Sequence, residues 1–196
     1  MPSSHRPADS GDDSAREADL LRRCRSGETD AYGELIAMHQ RHLHSVAFRL
    51  TGSASDAADV AQEAFLRAWR QLDAYRGDGP FGAWLCRIAV NLALYDKARA
   101  QRRESVHVES MEAAVHAPGS EPDSDRLERI RNALQRLEPE ARAAMVLTVY
   151  EGLNHAEAAQ ILGCAETTVS WRVWRARNRL RRWLADLAPR PGDPSP

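Results

Sequence analysis

The chain has 196 residues, of which 43% are hydrophobic and 28% are charged, and its formal net charge is −1. This length predicts one or two domains. No run of about 18 apolar residues predicts a transmembrane helix, and the polar, acidic start of the chain does not read as a signal peptide. The cysteines Cys24, Cys86 and Cys164 lie far apart and form no C-x-x-C pair. This spacing argues against a disulfide framework or a zinc finger, and it favours buried single thiols in a reducing cytoplasm.

Composition and periodicity divide the chain into five segments. Residues 1–18, rich in Ser, Asp and Pro, are predicted to form a disordered arm. Residues 19–103 show helical periodicity, divided by glycines into about four helices. Segment 104–125 holds six acidic residues and no Lys or Arg, a composition that predicts a solvated linker. Residues 126–187 are helical in pattern again, and 188–196 are a frayed tail. We therefore expect an all-α protein of two small helical domains joined by a flexible acidic linker.

The first domain contains a strongly amphipathic stretch, DAADVAQEAFLRAW at residues 56–69. Its predicted core positions are Val60, Ala64 and Leu66 or Arg67. Its predicted outward positions include Asp59, Gln62 and Glu63. From these residues alone, a solvated charged face and a contact surface are equal interpretations.

A turn-rich loop, YRGDGP at 75–80, follows and leads into the sequence FGAWLCRIAVN at 81–91. That second stretch contains Trp84 and Asn91. A basic strip comes next: Lys97, Arg99, Arg102 and Arg103. Exposed aromatic rings and a polar amide beside a basic strip can stack on and capture unpaired bases.

Residues 153–164 are predicted to form a short helix. Asn154 is a plausible N-cap, with Glu157 three residues later as in a capping box. Gly163 supplies the positive φ that ends a helix, and the next helix is expected to start at Glu166 or Thr167. A short helix, a glycine turn and a basic second helix predict a helix-turn-helix unit, whose second helix enters the major groove of DNA.

The second helix of this unit includes TVSWRVWRARNRLRRW at 168–183, which carries six arginines and no acidic residue. Its core stripe is predicted to be Val169, Val173, Ala176 and Leu180. Trp171 and Trp174 lie about 200° and 140° from Val169 around the helix. The two tryptophans pack against a neighbouring domain, lie flat on the surface, or form a contact face for a partner. DNA suits such a face, because arginines meet phosphates while indole edges meet thymine methyls.

These segments, in this order, resemble the extracytoplasmic-function (ECF) sigma factors of bacterial RNA polymerase. The matching segments are DAADVAQEAFLRAW, YRGDGPFGAWLCRIAVN, LEPEARAAMVLTVYEGLNHAEAAQILG and AETTVSWRVWRARNRLR. The resemblance implies a promoter-melting and polymerase-binding domain at 19–103 and a helix-turn-helix DNA-binding domain at 126–187. It implies a cytoplasmic transcription initiation factor that is not itself an enzyme. Its expected partners are core RNA polymerase, promoter DNA and an anti-sigma factor, with no membrane insertion of its own.

The resemblance also implies roles for individual residues. Contacts to the clamp helices of the large polymerase subunit are implied for Asp59, Gln62 and Glu63. Binding of the minus-ten element is implied for Arg76, Trp84, Asn91, Lys97, Arg99, Arg102 and Arg103. Binding of the minus-thirty-five element is implied for Thr167, Ser170, Trp171, Arg172, Trp174, Arg175, Arg177 and Asn178.

Two other classes of protein each fit part of the sequence. An ordinary helix-turn-helix transcriptional regulator explains 153–183, but it explains neither the second basic strip nor the loop beside Trp84. A metal enzyme is suggested by His39, His42 and His44. No carboxylate pattern accompanies these histidines as a helical di-iron site requires, so surface histidines on a polar helix face are the better interpretation. No cofactor, metal or catalytic residue is expected.

Overall fold

The first domain is built from four helices, as expected. A computed structural model describes residues 10–104 and 122–185, and all regular structure in those residues is helical. The helices of the first domain are α1 (Ser10–Arg25), α2 (Thr29–Thr51), α3 (Ala54–Arg70) and α4 (Phe81–Glu104). A 3₁₀ turn at Leu72–Ala74 leads from α3 into the loop before α4. Helices α2, α3 and α4 pack against one another around the buried side chains of Leu35, Leu43, Leu85 and Phe81.

Helix α1 corrects the expected limit of the disordered arm, because it begins at Ser10 and residues 10–18 are therefore helical. Side-chain contacts to α2 account for the difference. The Arg16 guanidinium lies 3.1 Å from the Glu34 carboxylate, and a Glu17 carboxylate oxygen lies 2.8 Å from His39 Nε2. These tertiary contacts outweigh the polar composition from which the arm was predicted. Residues 1–9 lie outside the described part of the chain.

The second domain contains α5 (Pro122–Gln135), α6 (Pro139–Met145), α7 (His155–Leu162) and α8 (Glu166–Trp183). Helix α6 continues into a single π-helical turn at Val146–Tyr150. Both α6 and α7 pack against α8. The expected linker 104–125 is wrong at both ends, because the adjacent helices extend into it. Glu104 belongs to α4, and residues 122–125 belong to α5. Residues 105–121 and the tail 188–196 lie outside the described residues.

The two domains pack against each other, and their buried residues form one continuous cluster. The contact centres on the C-terminal turn of α2. Arg142, which is 3% exposed, donates from Nη1 to the Leu50 carbonyl at 2.7 Å, and Gln135 Nε2 donates to the Arg49 carbonyl at 3.0 Å. Gly52, the residue directly after α2, has φ 81° and ends the helix. A Cβ at this position would lie 2.5 Å from the Gln135 side chain. Burial lowers the pKa of Arg142.

The fold contains no membrane-crossing element among the residues described here, since none of their helices is both long and apolar enough for one.

Candidate functional site

The helix-turn-helix unit forms as the sequence predicts. The Asn154 side chain accepts a hydrogen bond from the Glu157 backbone N–H at 2.9 Å, and the Glu157 carboxylate accepts one from the Asn154 N–H at 2.8 Å. This reciprocal pair is the predicted capping box. Gly163 ends α7 with φ 61°, and α8 begins at Glu166. These local signals define where α7 begins and ends and where α8 begins.

Helix α8 buries one stripe and exposes the opposite one. Val169, Val173 and Ala176 are at most 2% exposed, whereas Trp171 and Trp174 are 53% and 64% exposed. The predicted core stripe is confirmed for these three valine and alanine positions, and its fourth member, Leu180, is partly buried against the core. The alternative that the tryptophans pack against a neighbouring domain is wrong for this arrangement, because most of each ring faces solvent.

The polar residues expected on this face fall into two groups. Thr167, Arg175 and Arg177 are exposed, and the Arg175 guanidinium lies over the Trp171 ring, 5.0 Å from its centroid. Ser170 and Arg172 are half-buried and already engaged, since the Ser170 hydroxyl lies 2.8 Å from His155 Nδ1 and Arg172 donates to Cys164 Sγ at 3.7 Å.

A shallow groove of about 520 Å³ runs along the C-terminal half of α8. It is lined by Trp174, Arg175, Asn178, Arg179, Arg181 and Arg182. Four of these six side chains are guanidinium groups, which provide bidentate donors for phosphate oxygens. The groove therefore extends the tryptophan face with a surface suited to a nucleic-acid backbone.

The outward face of α3 carries the residues expected to bind polymerase. Asp59 and Gln62 are exposed, and Glu63 pairs with Arg67 at 2.8 Å across one helical turn. The predicted core position at Leu66 or Arg67 is wrong, because Leu66 is 44% exposed and Arg67 is exposed as well. The buried stripe of α3 consists instead of Ala57, Val60, Ala61, Ala64, Phe65 and Ala68.

Leu66 is a surface residue that the sequence analysis missed. It lies within about 60° of Asp59, Gln62 and Glu63 around the helix, at 100° per residue. Leu66 also lines a groove of about 620 Å³ between α2 and α3, together with Tyr32, Ile36, Gln40, Arg41, His44, Ala58, Ala61, Gln62 and Phe65. Of the three expected polymerase-binding residues, Gln62 thus lines a largely apolar groove.

The loop before α4 is closed by its own side chain, because the Tyr75 hydroxyl donates to the Gly79 carbonyl at 2.6 Å. Arg76 is exposed in this loop. Trp84 is not the freely exposed ring that the sequence suggested. It is half-buried, with ring centroids 5.4 Å from Tyr75 and 5.6 Å from Phe81. The ring packs there because Tyr75 and Phe81 close the hydrophobic core at the start of α4.

The other expected minus-ten residues follow along α4. Asn91 is half-buried and lies two helical turns beyond Trp84, so both residues share one face. The α4 backbone continues through Lys97, Arg99, Arg102 and Arg103. The side chains of those four basic residues lie outside the described part of the chain.

The three histidines of α2 point to different neighbours. His39 is half-buried against Phe81, with ring centroids 5.4 Å apart, so the surface interpretation is wrong for this residue. His44 lines the groove between α2 and α3. His42 Nε2 lies 2.7 Å from a Glu151 carboxylate oxygen, and this contact raises the pKa of His42.

Cys86 lies beside the same carboxylate. Its thiol donates to Glu151 Oε2 at 3.9 Å, and burial next to that charge raises the pKa of Cys86 to about 12. Cys24 is also buried, whereas Cys164 is half-buried. Burial of single thiols is therefore confirmed for Cys24 and Cys86.

Two protein-family models match the chain, Sigma-70 region 2 over residues 35–104 and Sigma-70, region 4 over residues 127–180. They coincide with the first domain and with the helix-turn-helix domain, and together they define the class of sigma-70-type proteins.

Individual relatives narrow the class further. The chain is 36% identical over 180 residues to the RNA polymerase sigma factor NccH of Alcaligenes xylosoxydans xylosoxydans, covering 88% of this chain and 96% of that protein. It is 35% identical over 173 residues to the ECF RNA polymerase sigma-E factor of Escherichia coli K12, covering 82% and 90%. The fold matches the Bartonella quintana sigma factor RpoE, solved in complex with the anti-sigma factor NepR, with a TM-score of 0.63 and 30% identity over 79% of this chain and 96% of that one. The chain therefore belongs to the ECF sigma factors of bacterial RNA polymerase, and the resemblance seen in the sequence is confirmed.

Proposed function

We propose that this chain binds core RNA polymerase and directs it to promoters by contacting the minus-ten element with its first domain and the minus-thirty-five element with its second. The observation that carries the proposal is the exposed face of α8. Trp171 and Trp174 project from the second helix of a helix-turn-helix unit, opposite a fully buried stripe. Large aromatic side chains left exposed beside arginines are typical of surfaces that a partner covers.

The exposed face of α8 carries side chains for two kinds of DNA contact, one to bases and one to phosphates. Trp171 and Trp174 supply the apolar edges that meet thymine methyl groups, and Arg175 is held beside Trp171. Arg177 and the arginines of the adjoining groove supply sequence-independent phosphate contacts. Ser170 and Arg172 lie at the edge of this surface, because their side chains are already hydrogen-bonded within the second domain.

Helix α3 is the proposed site for the clamp helices of the large polymerase subunit. Asp59, Gln62 and Glu63 provide polar contacts, and Leu66 provides an apolar anchor at the edge of the α2–α3 groove. An apolar centre with a charged rim is the usual anatomy of a protein–protein interface. The second domain leaves this face accessible, because α5 and α6 pack on other parts of α2 and on α4.

The first domain is proposed to capture an unpaired base of the minus-ten element between its closed loop and α4. Arg76 stands in the loop, while Trp84 and Asn91 share a face of α4. Because Trp84 is packed on Tyr75 and Phe81, it forms a fixed wall for a flipped base rather than a mobile stacking ring. Lys97, Arg99, Arg102 and Arg103 complete the proposed site as backbone contacts.

Three further features belong to this proposal. The chain acts in the cytoplasm, where polymerase and promoter DNA are found. It carries no catalytic site of its own, since the polymerase performs the chemistry. An anti-sigma factor controls it, as the complex of the related Bartonella quintana sigma factor with NepR suggests.

Transcription of a genomic fragment library by purified core polymerase, with and without this chain, tests the proposal. We expect new transcripts whose 5′ ends share two upstream sequence elements near positions −10 and −35. If the chain instead binds specific DNA without polymerase and yields no new transcripts, it is an ordinary helix-turn-helix regulator.

A further inference from the structure

The interface between the two domains contains a cluster of three side chains that can bind a metal ion. His42 lies in α2 and Cys86 lies in α4. Glu151 belongs to the second domain and directly follows its π-helical turn. One nitrogen, the sulfur and one carboxylate oxygen all lie within 4.8 Å of one another. The transcription function proposed above uses none of these three residues.

We propose that these three side chains form a site for a borderline divalent cation, Zn²⁺, which bridges the two domains. Nitrogen, thiolate and carboxylate are the donors that zinc binds in proteins, at about 2.0 to 2.3 Å. Tetrahedral geometry with such bonds places the ligand atoms about 3.3 to 3.8 Å apart. The distances from Glu151 Oε2 to His42 Nε2, 2.7 Å, and to Cys86 Sγ, 3.9 Å, require only small side-chain movements to reach that geometry.

The charges of the cluster also suit a dication. A thiolate and a carboxylate with a neutral imidazole carry two negative charges, which balance Zn²⁺. Without a cation, the pKa of the Cys86 thiol is raised because burial beside Glu151 disfavours a second negative charge. A bound metal ion reverses that preference, because coordination deprotonates a thiol outright.

The backbone fixes Glu151 at this position and leaves a path for the ion. The Glu151 N–H donates to the Val146 carbonyl at 3.1 Å, closing the π-helical turn. Such single π turns occur frequently at functional sites. The Glu151 side chain is only 12% exposed whereas that of His42 is 53% exposed, so an ion reaches the buried ligands from the His42 side. Water completes the fourth position of the site.

Cobalt binding by the tag-free full-length chain tests the site, because a Co²⁺–thiolate bond gives a near-ultraviolet charge-transfer band. We expect one Co²⁺ per chain, displaced by Zn²⁺ but not by Mg²⁺. The band should disappear in Cys86→Ser and remain in the matched controls Cys24→Ser and Cys164→Ser. His42→Ala and Glu151→Gln should each weaken Zn²⁺ binding by at least about tenfold, since even the loss of an outer-sphere partner costs that much.

Thermal unfolding gives a second readout. Zinc should raise the unfolding midpoint of the native chain and of both cysteine controls, and it should raise that of Glu151→Gln less at the same zinc concentration. Absence of the cobalt band, or its persistence in Cys86→Ser, overturns the site. If Glu151→Gln binds zinc as tightly as the native chain does, Glu151 is not a ligand and the site does not bridge the two domains. If Cys86→Ser does not fold, zinc binding by His42→Ala, whose side chain is 53% exposed in the native chain, and by Glu151→Gln decides the outcome.

Discussion

Trp84 in the first domain and Trp174 in the second show two opposite uses of the same side chain. Trp84 is half-buried between Tyr75 and Phe81, where it closes the core at the start of α4. Trp174 is 64% exposed on α8, beside a groove lined by arginines. Both tryptophans lie in segments that resemble promoter-binding regions, yet only Trp174 is largely exposed.

This difference shows that an aromatic residue in a DNA-binding segment can have either of two roles. It can pack beneath the binding surface and support it, or it can be exposed and contact the partner itself. A packed ring such as Trp84 contributes shape and rigidity, so its loss damages the fold. An exposed ring such as Trp174 contributes contact area, so its loss damages binding while the fold is retained. Measurements that separate stability from affinity therefore test the comparison directly.

The largest expected effect belongs to the aromatic cluster beneath Trp84. Phe81 is fully buried, so Phe81→Ala should lower the free energy of unfolding by about 3–5 kcal/mol through lost burial and the cavity left behind. Trp171→Ala is the matched control and should change stability by less than about 0.5 kcal/mol. Chemical denaturation of both variants measures these values. Equal destabilisation by the two substitutions would contradict the contrast between the domains.

The next effect concerns the affinity for promoter DNA. Trp174→Ala should weaken binding to the minus-thirty-five element by about 1–3 kcal/mol and relax the base preference at one position, as loss of one base contact does. The fold should remain intact because Val169, Val173 and Ala176 supply the buried stripe. Promoter titrations beside thermal melts measure both quantities. Unfolding of the second domain in this variant would show that Trp174 packs rather than reads DNA.

A smaller effect is expected on α3, whose face combines charges with one exposed leucine. Leu66→Ala, and separately the joint change of Asp59, Gln62 and Glu63 to Ala, should each weaken core polymerase binding by more than about 1 kcal/mol. Each substitution should alter stability by less than about 0.5 kcal/mol, because the positions are exposed or half-exposed. The exposed Glu166 of α8 serves as the control site. Unchanged polymerase affinity in a pull-down titration would show that this face of α3 does not bind polymerase and is only a solvated charged face.

The smallest effect separates two arginines of α8. Arg177 is exposed, so Arg177→Ala should weaken binding to all DNA sequences alike. The slope of the logarithm of the binding constant against the logarithm of the salt concentration should become shallower by about 0.9. Arg172 is half-buried and donates to Cys164, so Arg172→Ala should change that slope less. Fluorescence anisotropy at several salt concentrations measures both slopes. Equal slopes for the two variants would mean that the contact with Cys164 does not restrain Arg172.

The helix-turn-helix unit could be predicted closely because its determinants are local. The capping box, the glycine stop and the apolar stripe of α8 all lie within a few residues of the structure that they specify. In α3 the same periodicity predicts a core position at Leu66 or Arg67, yet both side chains are exposed. Small alanines carry much of the buried stripe there, and their weak hydrophobic signal let the larger Leu66 dominate the pattern.

The contacts between the domains could not be predicted, because they join residues that the sequence separates widely. His42 and Glu151 are 109 positions apart, and Cys86 lies 65 positions from Glu151. The carboxylate partner of His42 comes from the second domain, and that of His39 comes from Glu17 of α1, so neither pairing is visible in the sequence around α2. Trp84 was misjudged for a related reason, since its burial depends on Tyr75 and Phe81 closing around it.

The contact at the C-terminal turn of α2 can also be understood as helix capping supplied by another domain. The last carbonyls of a helix have no partner within it, and a cation there is favoured by the helix dipole. Gln135 and Arg142 of the second domain satisfy the carbonyls of Arg49 and Leu50. The bond from the neutral Gln135 amide contributes about 0.5–1.5 kcal/mol to the contact between the domains, and the bond from the charged Arg142 guanidinium contributes about 1.5–3 kcal/mol. The end of α2 is therefore capped by side chains of the second domain, so this helix terminus and the contact between the domains depend on the same two bonds.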